Sequence, residues 1–110
     1  TVIIGAEIEF YLQDLDIDKF LQHSAIPIIN EKGHHQFEVI IEASNDPVYI
    51  AYIIDKYIKY IKNLAYELNG TSLFVPKPFT YDYGNGMHLH INFLDNTDSN
   101  IFHNKYKLYF

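Results

Sequence analysis

Residues Thr1–Leu12 read TVIIGAEIEFYL, and their alternation decides the fold. β-Branched and aromatic residues dominate the stretch, which is the signature of a strand. Side chains along a strand point to opposite faces in turn, so Glu7 and Glu9 share one face while Ile8 and Phe10 share the other. Two neighbouring carboxylates repel each other unless water or a cation separates them. The strand therefore belongs to a sheet with one apolar face for the core and one face that must manage charge.

The same two-faced design recurs downstream. In GHHQFEVIIEAS (Gly33–Ser44), Phe37, Val39 and Ile41 fall on one face and Glu38, Ile40 and Glu42 on the other. In MHLHINFL (Met87–Leu94), His88, His90 and Asn92 oppose Met87, Leu89, Ile91 and Phe93. Between these two strands lies the clearest helix. Ile50, Ile53, Ile54, Tyr57, Ile58, Ile61, Leu64, Ala65 and Leu68 recur at helical spacing. Asp46 is placed as N-cap, with Pro47 at the first helical position. Gly70 is placed to end the helix in a left-handed conformation, and the triplet Asn69-Gly70-Thr71 reads as that helix end. Asp55 stands four residues before Lys59, a favourable surface pair.

The remaining pieces are shorter. Gln13–Ile26 reads as a loop with a short helical turn, and TSLFVPKPF (Thr71–Phe79) as a short strand stopped by Pro76 and Pro78. YDYGNG (81–86) and DNTDSN (95–100) read as loops, the latter followed by a short tail. The order β, β, α, β, β predicts an α+β fold: an antiparallel sheet of about four strands with one long amphipathic helix packed on it. At 110 residues the chain is expected to form a single domain over 1–110.

Composition narrows the function. A formal net charge of −6 leaves no basic patch to neutralise phosphates, so no nucleic-acid partner is expected. No apolar run approaches the roughly 20 residues of a membrane span. No basic region precedes an apolar one at the start, so no export signal is read, and a cytoplasmic location is expected. Cysteine is absent, which removes disulfides and thiolate chemistry. All eight basic residues are lysines. Arginine is the usual clamp on carboxylates and transferring phosphoryl groups, and this chain has none.

The polar strand faces carry ligand-type residues. Glu7 and Glu9 come from the first strand, Glu38 and a further option Glu42 from the second, and His88 and His90 from the last. Glu31 sits in the loop leading to the second strand, seven residues before Glu38. If these faces converge they form a carboxylate-rich pocket with two imidazoles. Magnesium and manganese favour oxygen donors in octahedral geometry, and manganese also accepts a histidine. The same alternation also fits a solvated sheet face, which is the better reading of Glu38 and Glu42 taken alone. His34 and His35 read as ordinary loop residues.

Four motifs in order sharpen this. GAEIEF (Gly5–Phe10), NEKGHHQFEV (Asn30–Val39), FVPKPF (Phe74–Phe79) and GNGMHLH (Gly84–His90) together resemble the catalytic domain of glutamine synthetase, with the long helix between the second and third. The resemblance covers nearly the whole chain and implies part of that family's catalytic barrel. The family joins ammonia to glutamate at the expense of ATP, by phosphorylating the substrate carboxylate and displacing the phosphate. By position, the resemblance implies that Glu9, Glu31 and Glu38 hold one Mg2+ or Mn2+ and that Glu7 and His88 hold a second, beside the ATP phosphates. It places His90 on a phosphate oxygen, Asn92 near the nucleotide where the family often has serine, and the Gly84 backbone against a glutamate-like substrate. No residue is assigned as a catalytic acid, base or nucleophile.

Three departures stand out. Tyr83 occupies a position where the family usually has a substrate-contacting asparagine. The family's later metal-binding glutamate, flap glutamate and arginines have no counterpart here, and its enzymes are several times longer. The expectation is therefore an ATP-dependent carboxylate–amine ligase by family, with this chain incomplete and inactive alone. The alternative is a non-catalytic metal- or nucleotide-binding or oligomerisation module, working as a homo-oligomer or with a companion chain.

Overall fold

The computed structural model describes residues 1–94 and the backbone of 106–109. Residues 95–100, expected to be a polar loop, lie outside the described residues. The elements are β1 (Val2–Gln13), α1 (Ile17–His23), β2 (Ile28–Asn30), β3 (Gln36–Ser44), α2 (Pro47–Glu67), β4 (Thr71–Leu73), β5 (Met87–Phe93) and β6 (Tyr106–Tyr109).

The strands form one sheet of order β2-β3-β1-β5-β6, with β4 also paired to β1. Every pairing is antiparallel, as expected from the sequence. Among the described residues the sheet has six strands rather than about four. The two additions are β2, only three residues long, and β6 in the segment read as a tail.

β1 is long because it serves two partners along one edge. Its first half pairs with β5 from Val2↔Phe93 to Ile8↔Met87. Its end pairs with β4 from Tyr11↔Leu73 to Gln13↔Thr71. β3 runs along its other edge from Ile4↔Ser44 to Tyr11↔Gln36. This strand carries both the core and the polar face.

The even residues of β1 make the core. Ala6, Ile8, Phe10 and Leu12 are buried together with Phe37, Val39 and Ile41 of β3. α2 covers them with Ile50, Ile53, Ile61, Leu64 and Ala65, the apolar stripe read from the sequence. Phe10 sits between Phe37, centroids 6.1 Å apart, and the stacked ring of Phe74, 5.3 Å away. α1 is a short helix of about two turns, with Asp16 accepting from the Lys19 N–H at its start and Phe20 fully buried. Tyr60 of α2 ties its far end, accepting from Ala25 N–H and donating to the His23 carbonyl.

α2 begins as expected, with the Asp46 carboxylate accepting from the Val48 and Tyr49 N–H groups and Pro47 in the first turn. Its exit differs. The left-handed residue at this exit is Asn69, at φ 64°, and no glycine among the described residues has positive φ. Asn69 N–H donates to the Tyr66 carbonyl and Gly70 N–H to that of Ala65, the paired bonds of a Schellman end. Asparagine tolerates this conformation because its short polar side chain can bond locally. Glycine is needed one residue later for space, since a Cβ on Gly70 would lie 2.5 Å from Leu15 Cβ and 2.7 Å from the Gln13 carbonyl oxygen. Among the described residues no helix is long and apolar enough to cross a membrane.

Candidate metal centre

The odd residues of β1 face away from the helix. Register then fixes their neighbours. Glu9 lies directly across from Glu38 of β3, and Glu7 directly across from His88 of β5. The turn between β2 and β3 brings in Glu31, whose N–H donates to the Gln36 carbonyl at 2.9 Å. Two sets of donors result. One atom each from Glu7, Glu38 and His88 lie within 4.8 Å of one another, and so do one atom each from Glu9, Glu31 and Glu38. Glu38 belongs to both sets. Glu42 belongs to neither and is exposed. Between Ile4↔Ser44 and Ala6↔Ile41 the register shifts by one residue. That bulge breaks the alternation of β3 just where Glu42 stands.

The two histidines converge on Glu7. His90 Nε2 is 2.7 Å from Glu7 Oε1, and His88 Nδ1 is 3.4 Å from Glu7 Oε2. His34 and His35 lie apart from this cluster; both are exposed, and their rings stack at 3.9 Å. Asn92 sits farther along β5, paired with Ile3. Gly84 lies in the loop before β5, with its carbonyl accepting from the Gln36 side chain. The glycine there has a packing reason, since a Cβ would come 2.8 Å from the Pro76 carbonyl oxygen.

The electrostatics of the cluster are unfavourable as it stands. Glu38 is only 7% exposed. Burial raises its pKa to about 7, helped by a hydrogen bond with Glu7 and by the charges of Glu7, Glu31 and Glu9. Glu9 is also raised, chiefly by burial and then by Glu31, while the Gly86 N–H and His88 pull it down. Among the described residues no lysine pairs with Glu9, Glu31 or Glu38. Buried carboxylates that crowd one another and lack a basic partner favour either a proton or a metal cation. An all-oxygen set suits Mg2+ or Mn2+, and a set with one imidazole suits Mn2+. The residues present therefore fit divalent cations.

This has a consequence for the metal-free protein. A carboxyl whose folded pKa is raised holds its proton more tightly folded than unfolded. For Glu38 that stabilisation is full below pH 4.5 and is lost as pH rises through about 7. The total change from this group is on the order of 3 kcal/mol. Asp82 works in the opposite sense, being held below its usual 3.8 by the His34 and Tyr83 N–H groups, and its window lies at lower pH. Urea denaturation in chelator should therefore give a midpoint that falls between about pH 5 and 8. A midpoint that rises across that range would contradict the assignment of Glu38.

Sequence reading gave no role to two amides that build the surroundings, Gln36 of the NEKGHHQFEV motif and Asn85. Gln36 is 2% exposed. Its Oε1 accepts from Gly33 N–H at 2.9 Å, and its Nε2 donates to the Gly84 carbonyl at 3.1 Å and to Asn85 Oδ1 at 3.0 Å. Asn85 Nδ2 donates to the carbonyls of Leu73 and Val75, each at 3.0 Å. A polar residue on the Glu38 face of β3 was the available signal for Gln36.

Comparison with known proteins agrees with this architecture. The family model described as "Glutamine synthetase, catalytic domain" matches residues 16–109. The matched segment begins after GAEIEF, so the placement of Glu7 and Glu9 rests on β1 itself. Glutamine synthetase of Helicobacter pylori strain J99 is 28% identical over 97 residues, covering 87% of this chain and 18% of the relative. Type-1 glutamine synthetase 1 of Dictyostelium discoideum is 31% identical over 91 residues, covering 77% of this chain and 17% of the relative. The chain thus spans less than a fifth of the length of these relatives. Among solved structures, a GmaS/ADP complex superposes with a TM-score of 0.74 at 20% identity, covering 94% of this chain and 31% of that one. Plasmodium falciparum glutamine synthetase superposes at 0.71 with 19% identity, covering 94% and 32%. At those identities the structures speak for the fold alone. With a family match that takes in most of the sequence, the chain belongs to the glutamine synthetase catalytic-domain family.

Proposed function

We propose that residues 1–110 supply the acidic side of a glutamine-synthetase-type centre, as one part of a larger catalytic unit. The observation that carries this is the sharing of Glu38 between two donor sets drawn from three strands and a turn. In this reading Glu9, Glu31 and Glu38 hold one divalent cation, and Glu7 and His88, with Glu38 between, hold the other. When bound, such cations neutralise charge on phosphate oxygens during transfer. The chain's own residues do the positioning. The Glu7–His90 contact, 2.7 Å, fixes the imidazole that would reach a phosphate oxygen. Asn92 lies on the same face of β5, on the nucleotide side. The Gly84 backbone lies where the amino-acid substrate would approach. Tyr83, half exposed in the same loop, replaces the family's asparagine and favours an acid substrate other than glutamate. Association with further copies or a companion chain belongs to the same proposal, because among the described residues the sheet ends in short strands, β2 and β6, whose outer edges can accept another strand.

The missing arginines set the expected activity. Each preorganised group that stabilises a transferring phosphoryl is worth about 3 kcal/mol of barrier. Incubated with ATP, Mn2+, glutamate and ammonia, the purified chain should bind metal and form no glutamine above background. Glutamine formation coupled to phosphate release would overturn the view that the chain is incomplete as a catalyst. Absence of any Mn2+ binding by calorimetry would overturn the cation reading itself.

A further inference from the structure

Gln36 and Asn85 are distant in sequence, yet their side chains close a ring of hydrogen bonds beside the acidic cluster. Gln36 holds Gly33 and Gly84, and Asn85 holds Leu73 and Val75, with the two amides bonded to each other. The Asn85 backbone adds a bond from its N–H to the Pro76 carbonyl at 2.7 Å. Four segments therefore meet at these two residues: the β2–β3 turn, the end of β4, the proline-rich loop and the entry to β5. Tyr11, fully buried on the same face as Glu9, adds a hydroxyl bond to the Tyr83 carbonyl at 2.7 Å.

The next residue after Asn85 is the one that touches the cluster. Gly86 N–H donates to Glu9 Oε1 at 2.7 Å, while Glu9 N–H donates to the Gly86 carbonyl at 3.0 Å. An ordinary antiparallel pair would exchange both bonds through the backbone. Here one of them goes to the carboxylate instead. The orientation of Glu9 thus depends on where Gly86 stands, and Gly86 stands where Asn85 is pinned. Amides suit this task. Each donates and accepts in fixed directions, and neither adds charge to a cluster short of positive partners.

We propose that Asn85, locked by Gln36, is the positioning residue that aims the Glu9 carboxylate at the Glu31–Glu38 donor set through the Gly86 N–H. This deepens the cation reading and rests on it. It separates two roles within one loop. Gly84 and Gly86 offer backbone to the site, and the residue between them holds both in place. Groups that orient a metal ligand typically change affinity by about 10–100-fold when removed.

The test uses the full chain and Mn2+ alone. In a His88→Ala background, which leaves the Glu9 set, Asn85→Ala should weaken Mn2+ binding by about tenfold or more. In a Glu31→Ala background, which leaves the Glu7 set, the same change should have little effect. Equal losses in both backgrounds, or none in either, would overturn the proposal. A measurement on the unmutated chain guards against a variant that fails to fold. The Gly86 amide should resist hydrogen exchange as well as the amides of β5, and exchange as fast as that of Tyr81, exposed in the same loop, would also overturn it. If the unmutated chain binds no Mn2+, the cation reading fails, and the exchange of Gly86 alone decides whether the lock exists.

Discussion

Replacing Glu38 with glutamine should sharply weaken Mn2+ binding at both donor sets and at the same time make the metal-free chain more stable. The two effects share one cause. Glu38 is the common member of the Glu7–Glu38–His88 and Glu9–Glu31–Glu38 sets, so its loss takes a charged oxygen from each. A fall in affinity of 100-fold or so is expected at each site, given that metal ligation needs the ionised carboxylate. In the absence of metal the same carboxylate is a burden, since burial and three neighbouring glutamates push its pKa to about 7. A neutral amide of the same shape removes that conflict. At pH 8 the variant should gain about 1–3 kcal/mol over the parent in chelator. Calorimetric Mn2+ titration and urea denaturation measure the two arms. A variant that keeps either site at parental affinity would show that Glu38 is not shared. One less stable than its parent at pH 8 would show that the carboxylate is already compensated in the metal-free fold.

The second large effect belongs to the opposite face of the same strand. Phe10→Ala should destabilise the chain by about 3–5 kcal/mol, the usual range for removing a buried aromatic ring. Phe10 is fully buried, and its ring lies against Phe37 and Phe74. Those contacts join β1, β3 and the segment after β4, so the cavity cannot be filled by one neighbour moving in. For a domain whose total stability is about 5–15 kcal/mol, the loss consumes a large share. Thermal unfolding of parent and variant at pH 5, where Glu38 is protonated, isolates the packing effect. A loss under about 1 kcal/mol would mean that the core relaxes around the gap.

These two positions also mark what could be read from residues alone. Alternation separated Glu7 and Glu9 from Ile8 and Phe10 within β1, and Glu38 from Phe37 and Val39 within β3; the register of the two strands then put the three glutamates on one side. Helical spacing gave α2 and its start at Asp46. The misses have physical reasons. β2 is three residues long and follows Pro27, too short for any period to register. Gly70 was the natural left-handed residue, yet crowding by Leu15 sets its identity, and Asn69 takes the turn. Glu42 fell on the right face by simple counting, but the bulge in β3 breaks the count before it is reached. Gln36 shares the Glu38 face of β3 by alternation, yet nothing in that spacing shows which groups it would bond, and Asn85 lies in a loop with no period. A buried amide is defined by partners that only the fold assembles.

β1 gives one face to grease and one to charge along a single run of chain. Sliding it by one residue against β3 would swap the two faces, drowning Glu7 and Glu9 in hydrocarbon and baring Phe10 to water. The acidic side chains thus act as alignment marks during folding, in addition to any later use they have. A chain whose carboxylates had all been exchanged for leucine would lose its means of telling the correct strand alignment from the neighbouring wrong one.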